Sequence, residues 1–358
     1  MAIRTGKDRP GVAKEEMMTD AERVIVLRCV SPEEGRLILY IRNKRINKVF
    51  FEKETPGYIT GDIYLARVKN TIPSSGAAYL DAGLDEPLFL NTGNRSHFAP
   101  ANRREDSVLK PGDEIAVKVR STAIGKKAAR AICADEVPRE EYIHKKAPCV
   151  LHRAPDEFEK SIRYAMSSPD CIWYTDDKAI YEDARSLKDK KLSEESTSSQ
   201  RDKSCGEVIR FYDDESISIK ALFDLRRAAQ DILDRRVRLK SGAEIVIDRT
   251  EAMTVIDVNS ASSRHDSVLA LNLEAAKEVV YQIEARNLDG MILVDFVNMD
   301  STESETILIE ALNADLKSLQ PAAKAEDITK LGIAEIVRPK SGKNTGSIKE
   351  AINSTILA

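Results

Sequence analysis

Residues 254–296 carry the pattern that restricts the fold most, because two short apolar runs flank one long run with helical spacing. The short runs, residues 254–259 and 291–296, have the length and β-branched content of strands. Apolar residues are consecutive in the second run, which predicts a strand buried on both faces. Residues 266–286 have apolar side chains at every third or fourth position, which is typical of a helix with one buried stripe. A strand, a helix and a strand in this order predict parallel pairing and an α/β domain.

Asp257, Asn259 and Asp295 lie near the carboxyl ends of the two predicted strands, the edge where ligands bind in open α/β sheets. Asn259 follows Asp257 by two residues, so both side chains leave the same face of the strand. Two carboxylates and an amide form an oxygen ligand set suited to Mg²⁺ or Mn²⁺. A water activated by such an ion attacks a phosphodiester in line, so the trio predicts a metal-dependent phosphodiester hydrolase.

The alternative is that these side chains only cap the turn after the strand, as Asp and Asn often do. Spacing alone favours this alternative. Asp295 reverses the preference, because it is expected to be buried in the apolar run 291–296, where an unpaired carboxylate is costly. His265 is the only histidine near the pair, which favours metal-activated water over a covalent nucleophile. A nucleotide-binding α/β domain of unrelated function is a third interpretation, weakened because the sequence has no G-x-G-x-x-G or P-loop run.

Short β patterns dominate the first part of the chain. Residues 24–29, 36–41 and 47–51 are predicted strands. Residues 61–135 contain further short alternating runs punctuated by Gly and Pro, which predict a small β-barrel that ends in the basic hairpin 125–130. The first sheet and the barrel are therefore expected to precede the α/β domain.

The remaining segments are less regular. Residues 186–206 are polar with little to bury and are predicted to form a mobile loop. Residues 217–236 and 300–320 are predicted helices, the second opened by a capping pair of Asp300 and Glu303. A last strand is predicted at residues 332–337.

Charge and cysteine content exclude several classes of protein. The net charge of −4 gives no general attraction to nucleic acid, so any such binding must come from local basic patches. No stretch reaches the ~18 apolar residues of a membrane helix, and the first residues lack the apolar segment of a secretory signal. The five cysteines are scattered without a C-x-x-C pair, which predicts reduced thiols, a cytoplasmic location and no zinc site.

Five ordered segments resemble the catalytic core of the ribonuclease E/G family. They are residues 236–242, 250–260, 272–276, 290–296 and 332–338. The resemblance extends over residues 24–340 and is densest in 236–300. It implies that Asp257 and Asp295 hold Mg²⁺, with Mn²⁺ as the other suitable ion, and that Asn259 orients Asp257 or the attacking water.

The resemblance also implies the reaction and its substrate. The expected activity is hydrolysis of single-stranded RNA to 5′-phosphate and 3′-hydroxyl ends, in RNA processing or decay. The alternative is an RNA-binding regulator that keeps the fold but cleaves weakly or not at all.

Residues 61–135 are implied by the resemblance to be an inserted OB-fold RNA-binding domain. Tyr79 and Phe89 match the family's aromatic stacking positions, with Tyr79 in place of the usual Phe. Lys127 matches a phosphate-facing lysine. The alternative for each aromatic residue is a position in the barrel core.

Three features depart from the family pattern. Residues 151–155 match the segment that binds the RNA 5′-monophosphate; Arg153 is present, but Ala154 replaces the family's Thr and removes a hydroxyl donor. Little preference for 5′-monophosphorylated RNA is therefore expected.

No Cys follows Cys205, so neither zinc nor the family's zinc-linked dimer is expected, and the oligomeric state is left open. The loop 262–266 is short, and its Arg264 either contacts phosphate or is solvated.

The predicted architecture is an α/β multidomain chain with an inserted OB-fold β-barrel RNA-binding domain and a βαβ-containing α/β catalytic domain. The predicted segments are a disordered tail (1–22), first strands of an α/β subdomain (23–60), the OB-fold (61–135), a shortened RNA 5′-end-binding subdomain (136–185), a flexible loop (186–206), a return to the α/β subdomain (207–235), the catalytic domain (236–340) and a C-terminal tail or short helix (341–358).

Overall fold

A computed structural model gives the fold of the chain. It describes residues 21–31, 33–54, 57–72, 74, 76–92, 97–104, 106, 108–123, 128–195, 208–264, 266–329, 331–339 and 345–358. Most of the predicted tail 1–22 lies outside these residues. The described residues form two compact units, a barrel unit within Thr55–Asp156 and an α/β unit made of the chain on either side of it.

The strands are β1 (Arg23–Cys29), β2 (Gly35–Arg42), β3 (Arg45–Lys53), β4 (Ile63–Ile72), β5 (Ala77–Asp81), β6 (Leu88–Asn91), β7 (Glu114–Ser121), β8 (Arg130–Cys133), β9 (Cys149–His152), β10 (Ile172–Thr175), β11 (Ile209–Phe211), β12 (Arg236–Arg238), β13 (Glu244–Arg249), β14 (Met253–Asn259), β15 (Gly290–Asp295), β16 (Lys324–Ile328) and β17 (Ile333–Arg338). The helices are α1 (Glu157–Ser167), α2 (Lys178–Glu195), α3 (Ile219–Leu222), α4 (Leu225–Leu233), α5 (Val268–Ala285), α6 (Thr302–Leu316) and α7 (Thr345–Ile352), followed by a π-helical turn (Asn353–Leu357). Among the described residues, no helix is long and apolar enough to cross a membrane.

The first sheet of the α/β unit has the strand order β11-β10-β1-β2-β3. Asn43 and Lys44 join β2 to β3 with positive φ angles of 53° and 60°, the conformation that a two-residue hairpin requires. Both faces of this sheet are covered, since alternate residues of β1 belong to separate apolar clusters on its two sides. One cluster includes α1 and α2, and the other includes α3, α4 and α7.

The barrel unit is closed by five strands in the order β4-β5-β6-β8-β7 and back to β4. Strands β6 and β8 pair in parallel, whereas the other neighbours in the closed barrel are antiparallel. This order, with the third and fifth barrel strands side by side, is the OB-fold connectivity, and the predicted barrel is confirmed. Strand β9 adds to the outside of the closed set by pairing with β4.

The second sheet of the α/β unit has the strand order β12-β13-β14-β15-β17-β16. Strands β14 and β15 pair in parallel around the crossover helix α5, as the strand–helix–strand pattern predicts. Helices α5 and α6 pack with the sheet in one apolar cluster that includes Ile256, Ile292 and Val294. On the opposite face Met291 and Val337 are each 48% exposed. We call the surface formed by the outward side chains of β12 to β17 the open face.

The prediction that residues 291–296 are buried on both faces is therefore wrong. Met291 and Asp295 are exposed, whereas Ile292 and Val294 are buried. The cause is tertiary, because α5 and α6 share one apolar cluster and only that side of the strand is covered. An apolar run does not show whether a second layer exists on the other side.

Two predicted helices differ in their limits. The helix predicted at 217–236 is divided into α3 and α4, because Asp224 between them has a left-handed φ of 49°. The helix predicted at 300–320 is shorter, and its cap is Ser301, whose Oγ accepts from the backbone N–H of Ser304 at 3.2 Å. The predicted Asp300–Glu303 capping pair is therefore wrong.

The predicted mobile loop 186–206 is also wrong over its first half, which is the second part of α2. Ile180 and Ala184 are buried against the first sheet, and this anchoring carries the charged residues that follow them into the helix. Residues 196–207 lie outside the described residues.

The structure distributes the predicted segment 136–185 between both units: β9 belongs to the barrel unit, and α1 and β10 belong to the α/β unit. In the segment 341–358, α7 and the following turn pack onto the first sheet through Ile348, Ala351 and Ile356.

Candidate active site

Asp257 and Asp295 are direct neighbours across two parallel strands. Their Cα atoms are register partners at the carboxyl ends of β14 and β15, and adjacent strands lie ~4.8 Å apart. The residues beside them, Ile256 and Val294, are fully buried on the helix side, so both carboxylates project from the open face. The fold thus brings together two carboxylates that are separated by a whole helix in the sequence.

Asn259 lies on the same face of β14. Its Nδ2 donates a hydrogen bond of 2.7 Å to Oδ2 of Asp257. This bond fixes the orientation of one carboxylate, and the carbonyl oxygen of the amide stays available as an acceptor. Among the described residues, Asp295 has no such side-chain partner.

The expectation that Asp295 is buried is wrong, since both Asp257 and Asp295 are exposed. Burial therefore gives no reason to expect a metal ion here. A different observation does: two like charges face each other across one strand spacing, and no ion pair to either carboxylate occurs among the described residues. Such a pair is relieved by a cation.

The donor set fits a hydrated Mg²⁺ ion. Among the described residues no three or more His, Cys, Asp or Glu side chains are grouped so as to hold a metal ion. Mg²⁺ commonly takes one or two carboxylates and keeps several waters, whereas Zn²⁺ requires three or four protein ligands. The two carboxylates of Asp257 and Asp295 are enough for Mg²⁺ but too few for Zn²⁺.

Arginine side chains lie on the open face two strands from the carboxylates. Arg236 and Arg238 of β12 are exposed and stand in register, through β13, with Asp257 and Asn259. Arg236 forms an ion pair with Glu244. The open face thus carries positive charge at its β12 edge and negative charge at its centre.

Tyr79 and Phe89 are register partners on β5 and β6 of the barrel unit. Their ring centroids are 5.4 Å apart and the rings meet edge to face at 67°. The flanking residues Ala78, Leu80 and Leu88 are fully buried in the barrel, so the two rings project from its outer surface. A core position is thereby excluded for both aromatic residues.

Arg130 continues this row, although its sequence position marks it only as the end of the basic hairpin 125–130. It is the register partner of Phe89 on β8 and is exposed. The small residues Ala129 and Ala131 on either side of it are buried, an alternation that would have placed Arg130 outside. We call Tyr79, Phe89 and Arg130 the outer row. Lys127, the predicted phosphate contact, lies outside the described residues.

Arg153 is engaged within the barrel unit. Its Nη1 donates to Oδ2 of Asp62 at 2.7 Å and to the hydroxyl of Tyr64 at 2.9 Å. Asp62 is fully buried, and its other oxygen accepts from the backbone N–H of Ala154 at 2.8 Å. Burial, together with Asp62, raises the pKa of Tyr64 to about 12, so the hydroxyl stays protonated at neutral pH. Arg153 therefore has a structural partner, which sequence reasoning did not anticipate.

The chain is similar to known ribonucleases over most of its length. It is 26% identical to ribonuclease G of Haemophilus influenzae over 394 aligned residues, spanning 89% of this chain and 80% of that protein. It is 24% identical to ribonuclease G of Escherichia coli K12 over 386 residues, spanning 87% of this chain and 79% of that protein. Over 135 residues, 36% of this chain and 20% of that protein, it is 39% identical to ribonuclease E of Synechocystis.

A family model also matches the chain, and the match includes the candidate site. The sequence model of the ribonuclease E/G family matches residues 116–341, more than half of the 358 residues. The matched region contains Asp257, Asn259 and Asp295 and includes the whole second sheet. With the similarity to both ribonuclease G proteins, this match establishes that the chain belongs to the ribonuclease E/G family.

Proposed function

We propose that the chain is a Mg²⁺-dependent endoribonuclease that hydrolyses single-stranded RNA to 5′-phosphate and 3′-hydroxyl ends, in RNA processing or decay. The observation that carries the proposal is the in-register pair of exposed carboxylates, Asp257 and Asp295, in a chain whose relatives are named ribonuclease G and ribonuclease E.

Asp257 and Asp295 would hold the ion, with Mn²⁺ as an alternative to Mg²⁺. When bound, such an ion lowers the pKa of a coordinated water and neutralises charge on the phosphodiester. The amide of Asn259 binds Oδ2 of Asp257, keeps this carboxylate in one orientation and leaves its Oδ1 for the ion. This preorganisation lowers the cost of placing the reacting groups.

Recognition of RNA would use both units. In the barrel unit the rings of Tyr79 and Phe89 offer stacking surfaces, and in OB-folds the surface of the second and third strands is a common site for oligonucleotides. Arg130 and Lys127 would neutralise backbone phosphates. On the open face Arg236 and Arg238 are suited to the same role.

The test is cleavage of a 5′-labelled, A/U-rich single-stranded RNA with Mg²⁺ or with EDTA. We expect internal cuts with Mg²⁺ only, and a loss of at least 100-fold in rate for Asp257→Asn and for Asp295→Asn. Asp300→Asn removes one exposed carboxylate five residues beyond Asp295 and is the matched control, with an unchanged rate. Cleavage that survives both active-site substitutions would exclude this site.

The ends of the products test the chemistry. A 5′-phosphate makes the downstream product a substrate for a 5′-phosphate-dependent exonuclease, and a 3′-hydroxyl allows the upstream product to be extended by poly(A) polymerase. A cyclic phosphate at the 3′ end would contradict hydrolysis by metal-activated water. RNA binding without cutting by the unmodified protein would favour the regulator.

A further inference from the structure

The two carboxylates of the candidate site are held in different ways. The carboxylate of Asp257 is fixed by the amide of Asn259. The carboxylate of Asp295 has no hydrogen-bonding side chain among the described residues, so its direction depends on the backbone at the end of β15. What fixes that backbone therefore decides whether Asp295 faces Asp257.

Asn272 of α5 fixes the backbone just beyond Asp295. Its Nδ2 donates to the carbonyl oxygen of Val297 at 2.7 Å, and its Oδ1 accepts from the backbone N–H of Val297 at 3.2 Å. Asn272 is fully buried, so the two bonds are shielded from water on the side of its side chain. Phe296 is buried between Asp295 and Val297, which anchors the same turn on its apolar side.

The fold places Asn272 in this position by capping the helix at a defined residue. Ser267 caps α5, with its Oγ accepting from the backbone N–H of Ala270 at 3.1 Å. Asn is a poor residue for a helix interior, and a buried amide is costly unless all its polar atoms are bonded. The paired bonds to Val297 satisfy that requirement and offset the cost of an Asn in the buried interior of α5.

We infer that Asn272 is a positioning residue for the reaction, which holds Asp295 in register with Asp257 through the backbone of Val297. The inference rests on the proposed function, because it assigns Asn272 a role in cleavage. Loss of the paired bonds releases the chain after β15, and the unsupported carboxylate of Asp295 then samples orientations away from its partner. The expected defect is in kcat, with RNA binding retained.

Asn313 provides a matched control within the same unit. Its Nδ2 donates to the carbonyl oxygen of Ala325 at 3.0 Å, and its Oδ1 accepts from the backbone N–H of Ala325 at 2.9 Å. As with Asn272, the amide of a helix residue pairs with both backbone groups of one residue outside the helix. This pair joins α6 to the edge strand β16, which lies two strands from β15. The same pair of bonds therefore occurs in this unit at a place away from the candidate site, where its role is structural.

The experiment compares the full chain with Asn272→Ala and Asn313→Ala at a temperature well below the Tm of each. We expect kcat to fall at least tenfold for Asn272→Ala with KM within threefold, and both constants to stay within threefold for Asn313→Ala. Hydrogen exchange of the metal-free protein gives a second readout. Amides of residues 295–299 should exchange at least tenfold faster in Asn272→Ala, and should be unchanged in Asn313→Ala.

Equal losses of kcat in the two variants, or an unchanged kcat in Asn272→Ala, would overturn the inference. Should Asn272→Ala fail to fold, Asn272→Leu replaces it, since it fills a similar volume and loses both bonds to Val297; the same loss of kcat is expected and an unchanged kcat would overturn the inference. An unmodified protein that does not cleave RNA at all would instead overturn the proposed function.

Discussion

At the scale of single residues, side-chain direction separates binding positions from core positions. In the barrel unit the inward residues of β5 and β6 are fully buried, and the outward residues Tyr79 and Phe89 are half-buried against each other. Aromatic rings left on a surface with their faces accessible are suited to stacking on bases. The same direction places Arg130 beside Phe89, where its cation is suited to contact the phosphates of an RNA strand whose bases stack on the rings.

We expect Phe89→Ala to weaken RNA binding without unfolding the barrel. Stacking contributes about 1–3 kcal/mol per base, so Kd should rise by roughly 5- to 150-fold. Binding is measured by fluorescence anisotropy and stability by thermal unfolding. Phe98→Ala is the contrasting control, because Phe98 is a buried residue of the barrel core and its truncation should cost about 3–5 kcal/mol of stability. A melted Phe89→Ala protein would show that this ring stabilises the barrel and would contradict a role confined to RNA binding.

Arg130→Ala should reduce the salt dependence of RNA binding. Each phosphate contact to a single strand contributes about 0.7 to the slope of log K against log salt concentration. The slope should become shallower by about this amount in a titration of salt. Lys110→Ala removes an exposed lysine that pairs with Asp106 and should leave the slope unchanged. An identical slope in all three proteins would show that Arg130 does not contact phosphate.

Arg153→Ala is expected to destabilise the barrel unit. The substitution leaves the buried carboxylate of Asp62 without its cation, at a cost of about 1–2 kcal/mol once the partial exposure of Arg153 is considered. Chemical denaturation measures this loss. An unchanged stability would show that Arg153 is free for another role.

The same residue bears on recognition of the RNA 5′ end. Because one nitrogen of Arg153 is occupied by Asp62 and Ala154 has no hydroxyl, we expect less than a tenfold preference for 5′-monophosphate over 5′-hydroxyl RNA. Cleavage rates of two otherwise identical RNAs provide the comparison. A preference of tenfold or more would mean that the remaining nitrogens of Arg153 suffice.

At the scale of secondary-structure elements, α2 shows how tertiary anchoring overrides a polar sequence. Asp177 caps this helix, with Oδ1 accepting from the backbone N–H of Ile180 at 2.9 Å. The same carboxylate accepts from Nη2 of Arg28 on β1 at 3.2 Å and also from its Nε. The first sheet and α2 are thus joined at the first turn of the helix. The helix continues from this anchored turn through the charged residues that follow.

The hydrogen bonds from Arg28 hold the pKa of Asp177 below its usual range. A carboxyl group with a lowered folded-state pKa stabilises the protein above its unfolded pKa, and this contribution is lost as the pH falls through the folded pKa. Asp177→Asn should therefore lower the free energy of unfolding by about 1 kcal/mol at neutral pH, and the difference from the unmodified protein should shrink below a pH of about 4.

Urea denaturation at neutral pH and at acid pH measures this effect. Asp183→Asn serves as the control, because Asp183 lies on the same helix and pairs with Arg36, but its side chain is more exposed than that of Asp177. It should have little effect at either pH. A loss for Asp177→Asn that is the same at both pH values would show that the charge of the carboxylate is not what stabilises the helix.

At the scale of the whole molecule, the barrel unit is an insertion with its own apolar clusters. The chain leaves and re-enters the α/β unit at one place, since the backbone N–H of Glu157 donates to Oε1 of Glu52 at 3.0 Å. An insertion that begins and ends at neighbouring points adds little constraint on the host unit.

We expect a fragment of residues 55–156 to fold alone and to bind single-stranded RNA with a Kd within tenfold of the full chain. Cooperative thermal unfolding and dispersed amide NMR signals would report folding. The shorter fragment 61–135, the predicted OB-fold, lacks β9 and should be less stable, because Tyr142 and Ala147 no longer cover Ile63 and Ala116. Equal stability of both fragments would contradict this role for the added residues.

The local pattern of apolar and polar residues was enough to predict most of the helices and strands. The period of the apolar residues identified α5 and its two flanking strands, and the alternating runs identified the barrel strands. Short strands without a pattern of their own were missed, among them β9, β10, β11, β12 and β16, because a three- to five-residue strand is recognised only by what it pairs with.

For the candidate site, the sequence by itself identified the residues that we propose to carry the chemistry, and it predicted that the ends of β14 and β15 meet, because a helix between two strands indicates parallel pairing. Only the tertiary structure decided that Asp295 is exposed, that Arg130 stands beside Phe89 and that Asn272 holds Val297. The physical reason is the distance along the sequence over which the deciding interactions act. Periodicity is a property of neighbouring residues, whereas the layer that covers a sheet, the strand that lies beside another and the partner of a buried amide depend on contacts between distant parts of the chain.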